Sequence, residues 1–283
     1  MTPRVLFVGA GKGSWLMRGC QMAEALGARA TTQPTSDDWA WADIVVLVKR
    51  AVDTWGEVAR ETGRPLVWDV LDYWQQPEQN ATPVLAIAEQ IAAVRRRYRI
   101  RTVIGATRQM AEVIGGVYIP HQCRLGLAPT PPRSEATTVA YDGQVKYLGP
   151  WKAAIEAACA RLSVRFVVNP PSLSEADVLV AFRGGVWDGP LCRQWKSGVK
   201  YVNAIAAGRP ILTEACAAHE ELVPPGLTVD SPARLEPALA QLLTREQRAL
   251  AYAHGLRRAS QFTAAAIAGQ YRDLCRTVLR RAA

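Results

Sequence analysis

Short runs of consecutive apolar residues alternate along the chain with longer stretches whose apolar positions recur every three or four residues. The short runs predict strands at residues 5–8, 44–48, 66–70, 102–105 and 117–119. The stretches between them have the periodicity of amphipathic helices. Strands that alternate with helices in this way form parallel sheets. Residues 1–125 are therefore predicted to form one α/β domain.

The pattern stops in a segment rich in proline and small polar residues and then begins again. The segment GLAPTPPRSEATT shows no periodicity, so residues 126–142 are predicted to be a linker. Further strands are predicted at 145–148, 164–168, 178–181 and 210–212, and a last helix at 263–281. The expected fold is α/β, with two Rossmann-like domains, 1–125 and 143–283, whose parallel sheets face each other across a cleft. A C-terminal helix is expected to close the chain.

The charge balance favours a polyanionic partner, either nucleic acid or an anionic membrane surface. Lys and Arg number 34 against 25 Asp and Glu, which gives a formal charge of +9. The densest group of cations is RRRYRIR, residues 95–101. Nowhere do about 18 apolar residues follow one another, so we expect a soluble, cytoplasmic protein.

Metal-binding patterns are missing from the sequence. The six cysteines are scattered without a C-x-x-C pair, only three histidines occur, and there is no D-x-D. We therefore expect no zinc cluster, no disulfide framework and no metal requirement.

The first strand runs into a glycine-rich turn, VLFVGAGKGSW. A dinucleotide motif, G-x-G-x-x-G, would need glycine where Ser14 stands and an acidic residue about 20 positions further on, and neither is present. A P-loop would need a hydroxyl residue after Lys12, where Gly13 stands. Gly11 and Gly13 are instead expected to form a flexible loop at the cleft.

A second candidate anion site lies in WKSGVKYVNAIAAGRPILTEACAAHEEL, residues 195–222. Lys196, Ser197 and Lys200 cluster where a helix is predicted to begin. Free N–H groups and the positive end of the helix dipole attract anions at such a position. This half of the chain is therefore the better candidate for binding a phosphorylated ligand.

The same stretch resembles the second domain of the GT-B glycosyltransferases. The family's A-x-A-x-G-x-P passage is similar to residues 204–210, and its E-L-V helix to residues 221–223. The resemblance implies a nucleotide-sugar donor, with a UDP-sugar expected, and no other cofactor. Many retaining members carry two glutamates where Trp195 and Asn203 stand here, so the anomeric outcome stays open.

The resemblance implies a set of donor contacts. Cations and a helix dipole would neutralise the diphosphate without a metal, and the ribose hydroxyls would need a polar partner. The residues assigned to the donor are Gly11, Gly13, Gly149, Arg183, Lys196, Ser197, Lys200, Asn203, Glu220 and Glu221.

The acceptor is expected on the first domain. VWDVLDYW places Asp72 and Asp69 at the carboxyl end of a predicted strand, and Asp72 is the favoured general base, with Asp69 in reserve. Acceptor contacts are predicted for Lys12, Trp15, Trp74, His121, Arg95, Arg96 and Arg97. Because aromatic rings stack on bases and arginines contact phosphates, the chain resembles phage-encoded glucosyltransferases that modify 5-hydroxymethylcytosine in DNA. A phage enzyme would act in the host cytoplasm.

Two other functions stay open. A polysaccharide or glycolipid glycosyltransferase would place its basic first domain on an anionic membrane surface. A non-catalytic module would use the same fold to bind a nucleotide or nucleic acid. No stable protein partner is predicted from the sequence.

Overall fold

The computed structural model describes residues 3–11 and 13–282. A first sheet of six parallel strands has the order β2-β1-β3-β4-β5-β6. Its strands are β1 (Val5–Val8), β2 (Arg29–Thr31), β3 (Ile44–Val48), β4 (Leu66–Asp69), β5 (Thr102–Gly105) and β6 (Val117–Tyr118). Its helices are α1 (Met22–Leu26), preceded by a π-helical stretch (Leu16–Gln21), then α2 (Ser36–Trp41), α3 (Ala51–Glu61), α4 (Val84–Arg97) and α5 (Arg108–Val113).

A second sheet of five parallel strands has the order β8-β7-β9-β10-β11. Its strands are β7 (Thr138–Tyr141), β8 (Arg165–Val168), β9 (Val178–Ala181), β10 (Ile211–Thr213) and β11 (Gly226–Thr228). The helices of this half are α6 (Trp151–Arg161), α7 (Pro190–Trp195), α8 (Val199–Ala207), α9 (Ala217–Leu222), α10 (Leu235–Leu242), α11 (Arg245–Arg258) and α12 (Ala264–Arg280).

The central strands are apolar throughout because helices cover both faces of each sheet. All five residues of β3, IVVLV, are buried, as are all four of β9. Continuous apolar runs of this kind are typical of parallel strands that are buried on both sides. This explains why the strands are visible in the sequence.

Both sheets begin with the same topology. In each, the second strand lies on one side of the first, and the third strand lies on the other side. The chain therefore reverses direction across the sheet between β1 and β3, and again between β7 and β9. Ligands of open α/β sheets bind at the carboxyl ends of the strands at such a point.

The second domain begins earlier than the sequence predicted. Strand β7 (Thr138–Tyr141) lies inside the expected linker 126–142, and the expected strand at 145–148 is a 3-10 helix. The strand was missed because only four residues separate the polar linker from Asp142 and Gly143. Its middle residues, Val139 and Ala140, are fully buried, and the strand lies between β8 and β9 in the second sheet.

The last helix belongs to the first domain's core, which corrects the predicted boundary 143–283. Helix α12 packs against α1 and crosses from the second half of the chain back to the first. Ile267, Tyr271 and Cys275 on its apolar face are fully buried in the core that contains β1 and β3. The first domain is thus built from both ends of the chain.

No helix in residues 3–11 and 13–282 combines the length and the apolar character needed to cross a membrane.

Candidate active site

Cations gather at the start of α8 in the second domain. Lys196 and Ser197 lie in the connection from α7, and Lys200 lies in the first turn of α8, which begins at Val199. Gly198 is the N-cap residue, and no side chain caps this end of the helix. A Cβ on Gly198 would lie 2.3 Å from Leu222 Cδ1, so a larger residue there would displace the end of the Leu222 side chain. The helix therefore presents uncapped N–H groups beside two lysines, as an anion site requires.

Lys200 is held without a carboxylate directly on its amine. The amine donates a hydrogen bond to the carbonyl oxygen of Asp142 and lies 3.9 Å from the centroid of the Tyr141 ring. Burial, together with the nearby Arg183, lowers the pKa of the Lys200 amine to about 7. A bound anion would reverse this effect by favouring the charged amine.

Arg183 and Glu214 lie side by side at the carboxyl edge of the second sheet. Arg183 comes two residues after β9, and Glu214 directly follows β10. The backbone N–H of Arg183 donates to Glu214 Oε1 at 3.0 Å. Among the described residues, the Arg183 Nη1 and Glu214 Oε2 atoms are buried without a hydrogen-bond partner. Burial raises the pKa of the Glu214 carboxyl to about 7. Buried polar atoms of this kind are costly unless a ligand satisfies them.

These two residues form a wall between two cavities. A cavity of about 250 Å³ lies beside Trp151, Asp188, Arg183 and Glu214. A smaller cavity, on the side of α8, is lined by Arg183, Glu214, Lys196 and Lys200 among others. The larger volume is near the lower end of the range of small-molecule pockets, about 300 Å³. The smaller cavity adjoins the start of α8, and the larger one lies on the other side of Arg183 and Glu214.

The predicted Gly149 lies next to the same edge. Its φ of 53° is in the left-handed region, and a Cβ there would lie 2.7 Å from the carbonyl carbon of Gly184. The two glycines let the connection after β7 pass close to the loop after β9. A donor contact by Gly149 stays a prediction.

Asp72, the predicted base, lies in the cleft and pairs with cations from both domains. The Lys49 amine is 2.9 Å from Asp72 Oδ1, and the Lys196 amine of the second domain donates to Oδ2. Gln76 joins the cluster, since its Nε2 donates to Asp72 at 2.9 Å and its Oε1 accepts from Lys196 at 3.2 Å. Burial alone would raise the pKa of Asp72, but Lys196 and Lys49 hold it well below its usual range. Two residues that the sequence singled out, Asp72 and Lys196, are thus in direct contact across the cleft.

Asp69, predicted as the reserve base, is enclosed within the first domain instead of facing the cleft. Its side chain is fully buried, with Arg18 Nε 2.8 Å from Oδ2, and the Tyr271 hydroxyl also donates to Oδ2. Arg18 donates further to the carbonyl of Pro120 at 2.7 Å. The carboxylate therefore has its charge and hydrogen bonds satisfied inside the protein. It joins β4, the π-helical stretch and α12.

The tryptophans predicted to contact the acceptor are structural. Trp15 is 8% exposed, and Cβ atoms on Gly9 and Gly19 would fall 1.8 and 2.0 Å from its ring. Trp74 is 2% exposed, and its indole N–H donates to Asn80 Oδ1 at 3.0 Å. Neither ring offers a free face for stacking, and the Lys196 amine of the second domain lies 5.9 Å from the centroid of the Trp74 ring.

His121 is also enclosed. It is 5% exposed, and burial together with Arg18 lowers its pKa to about 3, so the ring is neutral. Its Nδ1 lies 3.4 Å from the carbonyl oxygen of Gln122. The predicted acceptor contact by His121 is therefore replaced by a structural position beneath the cleft.

Arg95, Arg96 and Arg97, which were predicted to contact the acceptor, lie at the opposite edge of the first sheet from the cleft. Helix α4 follows β4 and returns the chain to the amino end of β5, where Arg101 N–H donates to Leu66 O at 2.9 Å. A helix between parallel strands must run back in this way. The arginines at its end therefore lie away from the carboxyl edge that forms the cleft.

Three polar residues assigned to the donor ribose are engaged elsewhere or exposed. Asn203 Oδ1 accepts from the N–H of Arg124 at 2.8 Å, and Glu221 Oε1 accepts from the N–H of Gln109 at 3.1 Å. Glu220 is exposed. These contacts tie the second domain to the linker and to the first domain.

Sequence reasoning missed Glu214 and Lys49. Each residue directly follows a buried strand, β10 and β3 respectively. A polar residue at the carboxyl end of a parallel strand is a signal that could have identified both of them.

The glycine-rich turn after β1 is open. Gly11 and Gly13 have φ of 82° and 65°, and a Cβ on either would meet no atom within 4 Å. Lys12 lies outside the described residues. The turn follows β1 at the carboxyl edge of the first sheet, where the cleft was predicted, and its contact with a donor stays a prediction.

In the part of the chain that the structure describes, no three His, Cys, Asp or Glu side chains come together as a metal site would need.

No protein-family model and no curated protein matches the chain. Solved structures do match over nearly its whole length. The alpha,alpha-trehalose 6-phosphate synthase from Burkholderia multivorans has a TM-score of 0.63 and 10% identity, over 100% of this chain and 98% of that chain. The UDP-forming alpha,alpha-trehalose-phosphate synthase from Burkholderia vietnamiensis has a TM-score of 0.61 and 9% identity, over 99% of both chains.

A third similar structure is the spinosyn rhamnosyltransferase SpnG complexed with thymidine diphosphate. It has a TM-score of 0.55 and 13% identity, over 96% of this chain and 99% of that chain. At such low identity these likenesses establish architecture alone. Two parallel α/β sheets meeting at a cleft, as the sequence predicted, give this chain the GT-B fold of the glycosyltransferases.

Proposed function

We propose that this protein is a glycosyltransferase that moves a sugar from a nucleoside diphosphate donor to a hydroxyl group. The observation that carries the proposal is the unsatisfied polar edge of the second sheet. Lys200, Arg183 and Glu214 line a cavity beside the uncapped start of α8. The fold supports the same reading, because similar structures include a UDP-forming synthase and a transferase complexed with thymidine diphosphate. The donor is therefore a UDP- or TDP-sugar.

The diphosphate binds at α8. Its charge is neutralised by Lys196 and Lys200, while Ser197 and the first N–H groups of the helix donate hydrogen bonds. Cations and fixed dipoles at this position stabilise the leaving diphosphate more as its charge develops. Arg183 Nη1, which is buried without a partner, supplies a further donor.

The ribose lies against Glu214. Its Oε2 atom is unpartnered and lies in the wall between the two cavities, where a carboxylate accepts hydrogen bonds from sugar hydroxyls. Glu214 takes this role in place of Asn203, whose side-chain oxygen already accepts from Arg124.

Asp72 removes the proton of the acceptor hydroxyl. Donor binding makes the Asp72 carboxylate a stronger base. In the structure two lysines hold the pKa of Asp72 too low for efficient proton removal. When Lys196 turns to the diphosphate, Asp72 keeps only Lys49 as a cationic partner. The base is therefore activated only when the donor is in place.

The acceptor is a hydroxyl compound whose class is left to experiment. The prediction of 5-hydroxymethylcytosine DNA depended on Arg95–Arg97, Trp15 and Trp74, and these residues lie away from the cleft or are enclosed. Hydroxymethylated DNA and a lipid-linked glycan therefore serve as two arms of the assay beside small hydroxyl compounds.

The test is transfer and donor hydrolysis with radiolabelled UDP- and TDP-sugars. Lys196→Ala should lower kcat/KM by about 100-fold, as loss of one electrostatic contact to the transition state typically does. Lys152→Ala, which removes an exposed ion pair with Glu156 on α6, is the matched control and should leave the rate unchanged. A protein that binds UDP but neither transfers nor hydrolyses any donor would be a nucleotide-binding module, and the proposal would fail.

A further inference from the structure

A second anion site lies at the amino edge of the first sheet, opposite the cleft. A groove of about 580 Å³ is lined there by Ala92, Arg95, Arg96, Arg99, Ile100, Arg101 and Ile114, and it is called the arginine groove below. Ile100 and Ile114 are largely buried and form an apolar floor. The arginines at the rim come from the end of α4 and from the turn before β5. Nothing in the proposed transfer reaction uses this surface.

One arginine of the arginine groove is held by hydrogen bonds, and three others have no carboxylate neighbour among the described residues. Arg95 donates to the carbonyls of Ile100, Gly115 and Arg101 at 3.2–3.4 Å, which anchors it in the wall. Arg96, Arg99 and Arg101 are exposed. Within residues 3–11 and 13–282, no carboxylate oxygen comes within 4.0 Å of these three guanidinium groups. The neighbouring Arg97 has one acidic neighbour, Glu57, at 3.9 Å.

Arg99 occupies a backbone position that favours glycine. Its φ is 54°, and it follows the end of α4 with Arg99 N–H donating to Arg96 O and Ile100 N–H to Arg95 O. Helices commonly end with glycine in this left-handed conformation. An arginine there costs some stability that glycine would recover.

We propose that the arginine groove binds a phosphate-bearing ligand. Several unpaired guanidinium groups around one hollow match the planar, two-pronged hydrogen bonding of phosphate oxygens. The volume suits a small phosphorylated compound or the headgroup of an anionic lipid. A nucleic-acid strand is disfavoured, because Tyr98, the one aromatic residue of the segment 95–101, is 7% exposed and lies under Arg97 and against Gly56. No free ring is therefore present in this segment for a base to stack on.

The experiment compares two triple variants of the full chain. R96Q/R99G/R101Q removes the free cations of the arginine groove, and R245Q/R257Q/R281Q removes three exposed arginines elsewhere for the same change in charge. Each is titrated with inorganic pyrophosphate by calorimetry and with vesicles containing phosphatidic acid by sedimentation. The groove variant should bind at least one probe at least tenfold more weakly than wild type, and the control variant within twofold. The probe that is affected identifies a free phosphate or a lipid headgroup as the source.

Two further measurements separate phosphate binding in the arginine groove from binding at the donor site and from changes in backbone strain. Lys196→Ala should retain the pyrophosphate binding that the groove variant loses, which separates this site from the donor site. Arg99→Gly should keep or raise the thermal midpoint, as should Ser163→Gly, because Ser163 has a φ of 54° at the equivalent position after α6. Only Arg99→Gly should weaken the binding of the affected probe.

Several outcomes would overturn the proposal. Equal binding by wild type and the groove variant would mean that the arginines do not hold phosphate. Equal losses in both triple variants would indicate general charge alone. Binding to duplex DNA that the groove variant loses, without binding to either phosphate probe, would replace a phosphate-bearing ligand with a nucleic acid.

Discussion

The first three strands of each sheet have the same order, but the polar groups at the carboxyl edges of the two sheets differ in their hydrogen bonding. At the first sheet, Asp69 is fully buried and its carboxylate is paired with Arg18 and Tyr271. At the second, Arg183 and Glu214 each keep a buried atom without a partner. Asp69 is satisfied by its own chain, whereas Arg183 and Glu214 keep buried atoms that are open to a ligand.

The difference shows what topology can and cannot say about a site. The strand order places a crevice at both edges, because the chain reverses between β1 and β3 and between β7 and β9. Hydrogen-bond satisfaction then separates the structural polar groups of a crevice from those that are open to a ligand. The same substitution of a polar group should accordingly have opposite effects on stability at the two edges.

The largest effect is expected at the satisfied edge. Arg18→Met should lower the free energy of unfolding by about 3–5 kcal/mol, because it leaves the buried Asp69 without its cation. Denaturant unfolding measures the change. The control, Arg4→Met, breaks an ion pair with Asp43 in which Arg4 is 50% exposed, and should lower the stability far less. Similar losses in the two variants would mean that the buried pair is not a special element of the first domain.

At the unsatisfied edge, Glu214→Gln should stabilise the fold at pH 8 by about 1–2 kcal/mol and weaken donor binding about tenfold. Burial raises the folded-state pKa of Glu214 to about 7 from 4.5. The unfolded chain therefore loses this proton first, and wild-type stability falls as pH rises from about 4.5 to 7. Glutamine removes that fall, which thermal unfolding across this pH range would show. A variant that binds donor normally would exclude Glu214 from the donor site.

Replacing a glycine by alanine should lower the stability by different amounts in the turn after β1 and in the connection after β7. Gly149→Ala places a Cβ 2.7 Å from Gly184 backbone at a positive φ, and should destabilise by about 2–3 kcal/mol. Gly11→Ala has a φ of 82° but open space, and should cost about 1 kcal/mol. Thermal midpoints of the two variants give the comparison. If Gly11→Ala slows sugar transfer and costs no more stability than the value expected here, the turn after β1 contacts the donor as the sequence predicts.

The smallest effect is a proton taken up on donor binding. The Lys200 amine, with a pKa of about 7, is mostly neutral at pH 8 and should become charged beside a diphosphate. UDP binding measured by calorimetry in buffers of different ionisation enthalpy should then show uptake approaching one proton (~0.9) at pH 8. Lys200→Met should abolish the uptake. Uptake that persists in this variant would place the diphosphate elsewhere.

Much of this architecture was predictable from the sequence because its signals are local. Buried parallel strands such as IVVLV at β3 are continuous apolar runs, and the cations before α8 lie within five residues of one another. The position of the arginine cluster was predictable as well. A helix that follows a strand ends at the opposite edge of the sheet, so α4 has to carry its C-terminal arginines away from the cleft.

The pairings within the site were not predictable, because they join distant residues. Arg18 meets Asp69 across 51 positions, and Tyr271 meets Asp69 across 202. The Asp72–Lys196 contact spans 124 positions and crosses the two domains. No periodicity indicates which carboxylate is buried in a structural pair, so Asp69 and Asp72 look equivalent in VWDVLDYW. Trp15 and Trp74 likewise give no sign in the sequence that their rings are enclosed.

The return of α12 to the first domain has a consequence for how the chain is made. A ribosome delivers Arg18 and Asp69 early, but Tyr271 leaves it only after the whole second sheet has been synthesised. Until then α1 lacks the helix that packs on it. The first domain to be translated is therefore the last to be completed, and a chain that stalls before residue 264 would present an apolar surface to chaperones although both its sheets are already encoded.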